Sequence, residues 1–494
     1  MAPTQGVRSI TTNVGWSVLS KTATFGLKFV TVPILARLLT PEDFGSVAVA
    51  LTVVQFLAMI GGAGLTSALI VDRDGDMDTV HTVFWSNLAM ACAMALILFV
   101  GADWLAAMMG APKAADLVRI MALLIPLQLT ADVAYSLLAR QMNFSKDAIL
   151  STVSEVTAAL LALGLALLGF GVWALVVQLF SSAMIRLFGL YAITRYVPRM
   201  VIRPARMVPL LRYSSGLMGS EMANFVTFQA PMVVIARVLG LADAGAYSAA
   251  NRFASIPNQI VLSAVMGVLF PAFSLMGDDR KRRSDALMFS TQAMTVVLAP
   301  AMFGLWAVAE PVMLVLFGPQ WAYAWPVLGL LALSKAIITP CSTFIPYLKG
   351  TGHSRVLFWS AVLRAIATTI AIAGGAYYGS LVDAMIGLCV VNAITLVGYS
   401  WAVFRVDGIP FFWGLLTSSR SMITSFIMAI GVRVFLHMFA AELTSPYAQV
   451  LAGAAVGGIL YGILFLLTEM ALVRKVLALV RRRSQRASTE PTSA

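Results

Sequence analysis

Apolar residues run along this chain in long blocks separated by short polar hinges. A helix that crosses the hydrocarbon of a bilayer takes about 20 mostly apolar residues. That ruler marks fourteen spans, near 13–36, 46–70, 80–101, 117–138, 148–169, 172–194, 214–238, 247–273, 287–309, 325–347, 356–377, 382–404, 415–439 and 448–471. Lipid-exposed backbone has to satisfy its own hydrogen bonds, and blocks of this length do so as helices. The expectation is an all-α integral membrane protein with about fourteen transmembrane helices. Composition agrees: 60% of the 494 residues are hydrophobic and 11% are charged, whereas a soluble domain is about a quarter charged. The opening MAPTQGVRSITTNVGW has no short apolar core or cleavage site of a secretory signal. The first apolar block is therefore expected to stay as a span.

Charge gives the orientation. Cytoplasmic loops collect Lys and Arg. With the N-terminus inside, twenty-two basic residues fall in inside segments and four, Arg37, Lys113, Arg119 and Arg237, fall outside or at its edge. Both termini are then cytoplasmic. The net charge of +12 gathers on that face, where anionic lipid headgroups are the expected partners at about 1 kcal/mol per Lys or Arg. No segment is long enough for a nucleic-acid-binding fold.

One pattern recurs 200 residues on. Ala36, Arg37, Leu39, Asp43, Gly45 and Ala50 return as Ala236, Arg237, Leu239, Asp243, Gly245 and Ala250. Six spans separate the copies, so both lie on the outer face, and spans 1–6 repeat as spans 7–12 about an axis along the membrane normal. The chain divides into a six-helix lobe (1–194), a basic cytoplasmic linker (195–213), a second lobe (214–404), two further helices (405–471) and a basic tail (472–494). Transporters place substrate sites between such repeats. Within the motif, Asp43 and Asp243 suit helix caps, Gly45 and Gly245 allow close backbone approach, and Arg37 and Arg237 can snorkel to outer headgroups.

The segments ARLLTPEDFGSVAVA (36–50), ARVLGLADAGAYSAANRFASIPNQI (236–260) and VLFPAFS (268–274) resemble the exopolysaccharide and O-antigen flippases of the Wzx family. Within it they are similar to the polysaccharide-transport subgroup of colanic-acid-type exporters, part of the multidrug/oligosaccharidyl-lipid/polysaccharide exporter superfamily. The resemblance covers nearly the whole chain. It implies two six-helix lobes plus two C-terminal helices working by alternating access. The implied cargo is an undecaprenyl-diphosphate-linked oligosaccharide, moved from the cytoplasmic to the outer leaflet of the bacterial inner membrane, with a polysaccharide polymerase and export machinery as partners. Cargo contacts in this family form no fixed motif, so the resemblance assigns no residue.

Candidate residues come from charges inside the spans, each of which costs about 2.5–3.5 kcal/mol at mid-bilayer. Eight are basic: Lys21, Lys28, Arg186, Arg252, Lys335, Arg364, Arg420 and Arg433. Away from the span ends the acids are Asp132, Glu155 and Glu221, too few to neutralise the rest. A water-filled, electropositive cavity between the lobes resolves this and suits a diphosphate. Lys21, Lys28, Lys335 and Arg364 are the deepest candidates for it, followed by Arg186 and Arg252; snorkelling explains Arg420 and Arg433, and competes at Arg252. Glu221 stands 200 residues from Lys21 and could form a latch with it. With Glu155 and Asp132 it completes the gating or ion-coupling set; the coupling ion, proton or sodium, is left open. Pro33, Pro126, Pro231, Pro257, Pro300 and Pro340 interrupt spans as candidate bends. Two GxxxG spacings at 453–462 favour close helix packing.

Other chemistries find little support. Cys92, Cys341 and Cys389 are scattered, as are His81, His353 and His437, so no metal site or other cofactor is expected. A lipid II flippase and an ion-coupled multidrug exporter are the alternative transporters. A membrane glycosyltransferase or polymerase would need a sizeable non-membrane loop, and none is present.

Overall fold

The first polar corner after the opening span shows how this sequence starts a helix. Asp43 Oδ2 accepts hydrogen bonds from Thr40 N at 3.0 Å and Thr40 Oγ1 at 2.9 Å, and Thr40 Oγ1 accepts one from Asp43 N at 3.2 Å. This reciprocal cap is worth about 1 kcal/mol. It launches α1 (Pro41–Gly62), with proline at the position where a missing N–H costs nothing. Ser380 and Asp383 repeat the device later in the chain.

The structure, a computed structural model, describes residues 26, 27, 30–62, 65, 66, 69, 76–141, 144–275 and 279–469. After α1 the first half continues with α2 (Met77–Met108), α3 (Ala115–Met121), α4 (Leu124–Arg140), α5 (Phe144–Leu167) and α6 (Val172–Thr194). The second half holds α7 (Pro204–Val238), α8 (Leu241–Leu275), α9 (Arg280–Ala307), the short α10 (Ala309–Leu316), α11 (Trp325–Ile338), α12 (Phe344–Gly350), α13 (Ser354–Tyr378) and α14 (Leu381–Asp407). Two further helices, α15 (Phe411–Met438) and α16 (Pro446–Thr468), follow. The fold is all-helical among the described residues, and eleven helical segments are long and apolar enough to cross a membrane. Most of the expected first span, 13–36, lies outside the described residues.

The fourth span of each half is broken. In the first half α3 stops at Met121 and α4 starts at Leu124, two residues before Pro126; in the second half a 3₁₀ turn, Thr339–Thr343, containing Pro340, separates α11 from α12. Pro231, Pro257 and Pro300 lie within continuous helices. Of the expected bends, the two at Pro126 and Pro340 coincide with breaks.

The segment expected as a linker over 195–213 is shorter. Residues 195–203 form an irregular strap against the start of α2, and Pro204 then begins α7 at its first helical position. Trp85 Nε1 donates to the Arg199 carbonyl at 2.8 Å, Arg203 N donates to Thr82 Oγ1 at 3.1 Å, and Arg203 pairs with Asp78 at 2.6 Å. Two arginines expected at the lipid surface thus help pin the strap to the first half.

The repeat explains how the halves meet. α1 packs along α8, and the approach is closest at the recurring glycines. A Cβ on Gly45 would run into the Leu241 carbonyl oxygen, and one on Gly245 would run into the carbonyl oxygen of Pro41. The two clashes are the same event seen from either half, since 41 and 241 differ by the repeat length. Around this contact lie Leu35, Phe44, Val47, Ile235, Ala244, Tyr247, Phe317 and Trp321, all buried in one core shared by both halves.

The last two helices attach to the second half. Glu469, 2% exposed at the end of α16, accepts from Ser421 Oγ at 2.7 Å and Gln292 Nε2 at 2.6 Å. Tyr461 donates to the Val296 carbonyl at 2.7 Å. In the first GxxxG of α16, a Cβ on Gly453 would sit 2.7 Å from Val308 and one on Gly457 3.3 Å from Val432. Gly458 and Gly462 face open space. The motif serves packing within the chain.

Gly45→Ala or Gly245→Ala should destabilise the assembled halves by about 1–3 kcal/mol, because backbone rather than a flexible side chain has to yield. Thermal unfolding of each purified variant checks this; Gly458→Ala should leave the midpoint unchanged.

Candidate functional site

A cavity of about 750 Å³ lies between the halves, starting one turn beyond the Gly45–Gly245 contact. α1 and α8 line it in matched register. Ala48, Leu51 and Thr52 on α1 face Ser248, Asn251 and Arg252 on α8, each pair 200 residues apart. Where the first half offers small or apolar groups, the second offers a hydroxyl, an amide and a guanidinium. α4, α5, α6 and α7 complete the wall.

Most of the polar lining is uncharged. Gln55, Gln128, Gln178, Gln229, Gln259 and Asn251 present amides, and Thr31, Thr52, Ser182 and Ser248 present hydroxyls. Gln229 Nε2 donates to Gln55 Oε1 at 2.8 Å, and Thr52 Oγ1 reaches Gln229 Oε1 at 3.4 Å. One amide pair therefore spans from α1 to α7 across the seam. Amides and hydroxyls both donate and accept, which suits a cargo dense in hydroxyl groups.

Four charged groups share the cavity: Asp132, Glu155, Arg186 and Arg252. The described lining is thus formally balanced, in contrast to the expected electropositive one. Arg186 is drawn to the first-half wall, with a guanidinium nitrogen 3.6 Å from Asp147 and its carbon 5.6 Å from the centre of the Tyr135 ring. Asp132 lies within electrostatic reach of Arg186. Arg252 is exposed and forms no ion pair among the described residues.

Other predicted positions fall elsewhere. Lys21, Lys28 and the Glu221 side chain lie outside the described residues, and with them the Lys21–Glu221 latch. Lys335 and Arg364 are not in the lining; they sit in the interior of the second half, where Arg364 donates to Asn392 Oδ1 at 3.3 Å. The expectation had weighed their depth along a span, which says nothing about the direction a side chain takes around the helix. Arg433 lies over the Trp306 ring at 4.1 Å, a cation–π contact that shelters its charge.

The cavity is closed at the end where the repeat motifs meet. Arg37, expected at the headgroups, instead donates to the carbonyls of Val315 and Leu316 at the end of α10, and to Tyr447 Oη. Helix ends leave carbonyls unpaired, and a nearby guanidinium satisfies them better than lipid can. In the reverse direction Gln320 Nε2 donates to the Ala36 carbonyl at 2.7 Å and to that of Leu39 at 3.0 Å, and Trp321 Nε1 donates to Ala36 at 2.7 Å. Gly110 (φ 71°) and Gly318 (φ 93°) turn the two loops toward the opposite half. Gly110 lies against the backbone of Ala236 and Arg237, and Gly318 against Arg37. Asp243, at the start of α8, is half-buried in the same clasp.

Sequence reasoning favoured charges and passed over the amides and the clasp donors. A signal was present: in the 200-residue alignment Leu51 and Thr52 change to Asn251 and Arg252, a polar gain inside an apolar block. Gln320 and Trp321 carry no such mark.

Two halves related by a repeat, with a polar cavity between them and closure at one end, have the architecture of a membrane transporter. The chain belongs to the polysaccharide biosynthesis protein family, whose pattern matches residues 34–326. It is 66% identical to the succinoglycan biosynthesis transport protein ExoT of Rhizobium meliloti (strain 1021), over 99% of each chain. It is 22% identical to the lipopolysaccharide biosynthesis protein WzxC of Escherichia coli (strain K12), over 78% of this chain and 79% of that one. Its fold is similar to that of the lipid II flippase MurJ in an inward closed conformation: TM-score 0.72, 15% identity, 92% of this chain and 98% of that one.

Replacing Gln320 by Leu and Trp321 by Phe removes donors from the clasp, each worth about 1 kcal/mol. A cysteine introduced at Ser248 should then react faster with a membrane-impermeant maleimide applied from the clasp side. The single replacements should give intermediate rates.

Proposed function

We propose that the protein is a flippase for an undecaprenyl-diphosphate-linked oligosaccharide destined for an exopolysaccharide of the succinoglycan type. The similarity to a succinoglycan biosynthesis transport protein along the full chain supports the cargo class. The observation that carries the reading is the cavity itself, with amide-rich walls for sugar and one exposed arginine, Arg252, that has no carboxylate partner among the described residues. With the clasp facing outward, as the charge distribution directs, the cavity serves the cytoplasmic leaflet of the bacterial inner membrane. Both termini then lie in the cytoplasm.

Cargo enters from that leaflet, and its diphosphate settles on Arg252, with Arg186 as a second cation once it exchanges Asp147 for phosphate. Charge-assisted bonds of this kind are the stronger class. Sugars bind the glutamine-lined wall and the polyprenyl chain stays in lipid. Opening the clasp while the opposite end closes then presents the oligosaccharide to the outside, where a polymerase and export machinery receive it. Asp132 and Glu155 face the same water as Arg186 and are the candidate groups for proton or sodium coupling. Lys21, Lys28 and Glu221 keep their proposed parts as further cargo contacts and latch.

The test is movement of a lipid-linked oligosaccharide across proteoliposomes containing the purified protein. Arg252→Gln should lower the rate at least about 10-fold, equivalent to about 1.4 kcal/mol, and Arg252→Lys should retain part of it. Unimpaired transport by Arg252→Gln would remove the proposed diphosphate contact.

A further inference from the structure

The interior of the second half holds two cations with no ion-pair partner among the described residues. Lys335 stands in the last turn of α11, and Arg364 on α13 is close enough for the two charges to act on each other. Neither forms an ion pair among the described residues. α11 and α12 contain no acidic residue, nor does α13; α14 carries only Asp383 and Asp407, both at its ends, and Asp383 is committed to the Ser380 cap. Lipid-side snorkelling does not explain Lys335 and Arg364, because both are at least half-buried within the bundle.

The polar side chains bonded around them are uncharged. Asn392, 3% exposed on α14, accepts from Arg364 through Oδ1 and donates through Nδ2 to Ser334 Oγ at 2.6 Å and to the Ser334 carbonyl at 3.2 Å. Those bonds tie α13, α14 and α11 together beside Lys335. One turn beyond Arg364 on the same face, Thr368 is 1% exposed, and its Oγ1 has no hydrogen-bond partner. Most helical threonines satisfy this oxygen at the preceding turn, as Thr369 and Thr395 do here. Arg364 Nε is also buried without a partner. A buried orphan hydroxyl and an orphan guanidinium N–H are two donors without an acceptor, in a place where unsatisfied polar groups are costly, and beside them stands an ammonium that forms no ion pair among the described residues.

We propose that α11, α13 and α14 enclose a binding site for a small monovalent anion, chloride being the abundant one of suitable size. Lys335 Nζ, Arg364 Nε and Thr368 Oγ1 donate to it, and Asn392 holds the arginine in place. The site is separate from the cargo cavity, since none of these four residues lines it. The anion neutralises one of two like charges and cross-links three helices of the second half, including α11 just before the break at Pro340.

The test uses the full-length purified protein without cargo, so it stands apart from the proposed flippase activity. Thermal unfolding is followed while chloride replaces gluconate at constant ionic strength and pH. A ligand that binds only the folded state raises the midpoint saturably, so a chloride-dependent rise of a few degrees is expected. Thr368→Val and Lys335→Met should each lose most of that rise, while Arg252→Gln keeps it. No chloride dependence in the unaltered protein overturns the proposal, as does a rise that survives in both Thr368→Val and Lys335→Met. A rise lost in Arg252→Gln would put the anion in the cargo cavity and overturn it equally. Halide sensitivity that appears only in Glu221→Gln would make that carboxylate on α7 the counter-charge, with the same consequence.

Discussion

The architecture depends on one close approach, that of α1 and α8 at Gly45 and Gly245. No side chain larger than hydrogen fits, because what stands opposite is the carbonyl of the partner helix's first turn. Such packing keeps two helices at a short, fixed separation, and the helices diverge from it to leave room for the cavity. The clasp follows from the same point. With the ends of the first and seventh spans held side by side, the loops at Gly110 and Gly318 can each reach across to the opposite half. The second-half loop also donates across through its side chains Gln320 and Trp321, so backbone symmetry coexists with chemical asymmetry.

Charge is divided between two settings. In the cavity, amides and hydroxyls surround the charged groups, and the described carboxylates and arginines balance. In the second-half interior Lys335 and Arg364 gather hydroxyl and amide neighbours instead of acids. A cation in a wet cavity is available to a passing ligand. A cation in a packed bundle needs a resident partner. Depth in the membrane does not separate the two cases; the direction of the side chain around its helix does.

Much of the frame was legible. The block from 172 to 194 matches α6 residue for residue, since glycine and turn residues bound it on both sides. Asp43, Gly45 and Gly245 were readable because caps and close approaches demand particular residue types at particular places. Legibility failed where function depends on helix rotation in a setting that is hydrophobic all round. Lys335 and Arg252 look alike in a hydropathy trace, yet one faces its own bundle and the other faces the cavity. It also failed for the linker, where the basic run hid the helix start at Pro204, and for Arg37, whose acceptors lie about 280 positions away in the chain.

The anchoring of α16 has a mechanical corollary. Its buried carboxylate grips Gln292 and Ser421, its tyrosine grips Val296, and its glycines lie on Val308 and Val432. Those partners belong to α9, α15 and the junction before α10, whereas the hydrogen bond from the first half among the described residues is Arg37–Tyr447 at the clasp. The terminal hairpin therefore adds weight without adding a joint. In the transport cycle proposed above, the hairpin rides with the second half once its Arg37–Tyr447 bond is undone.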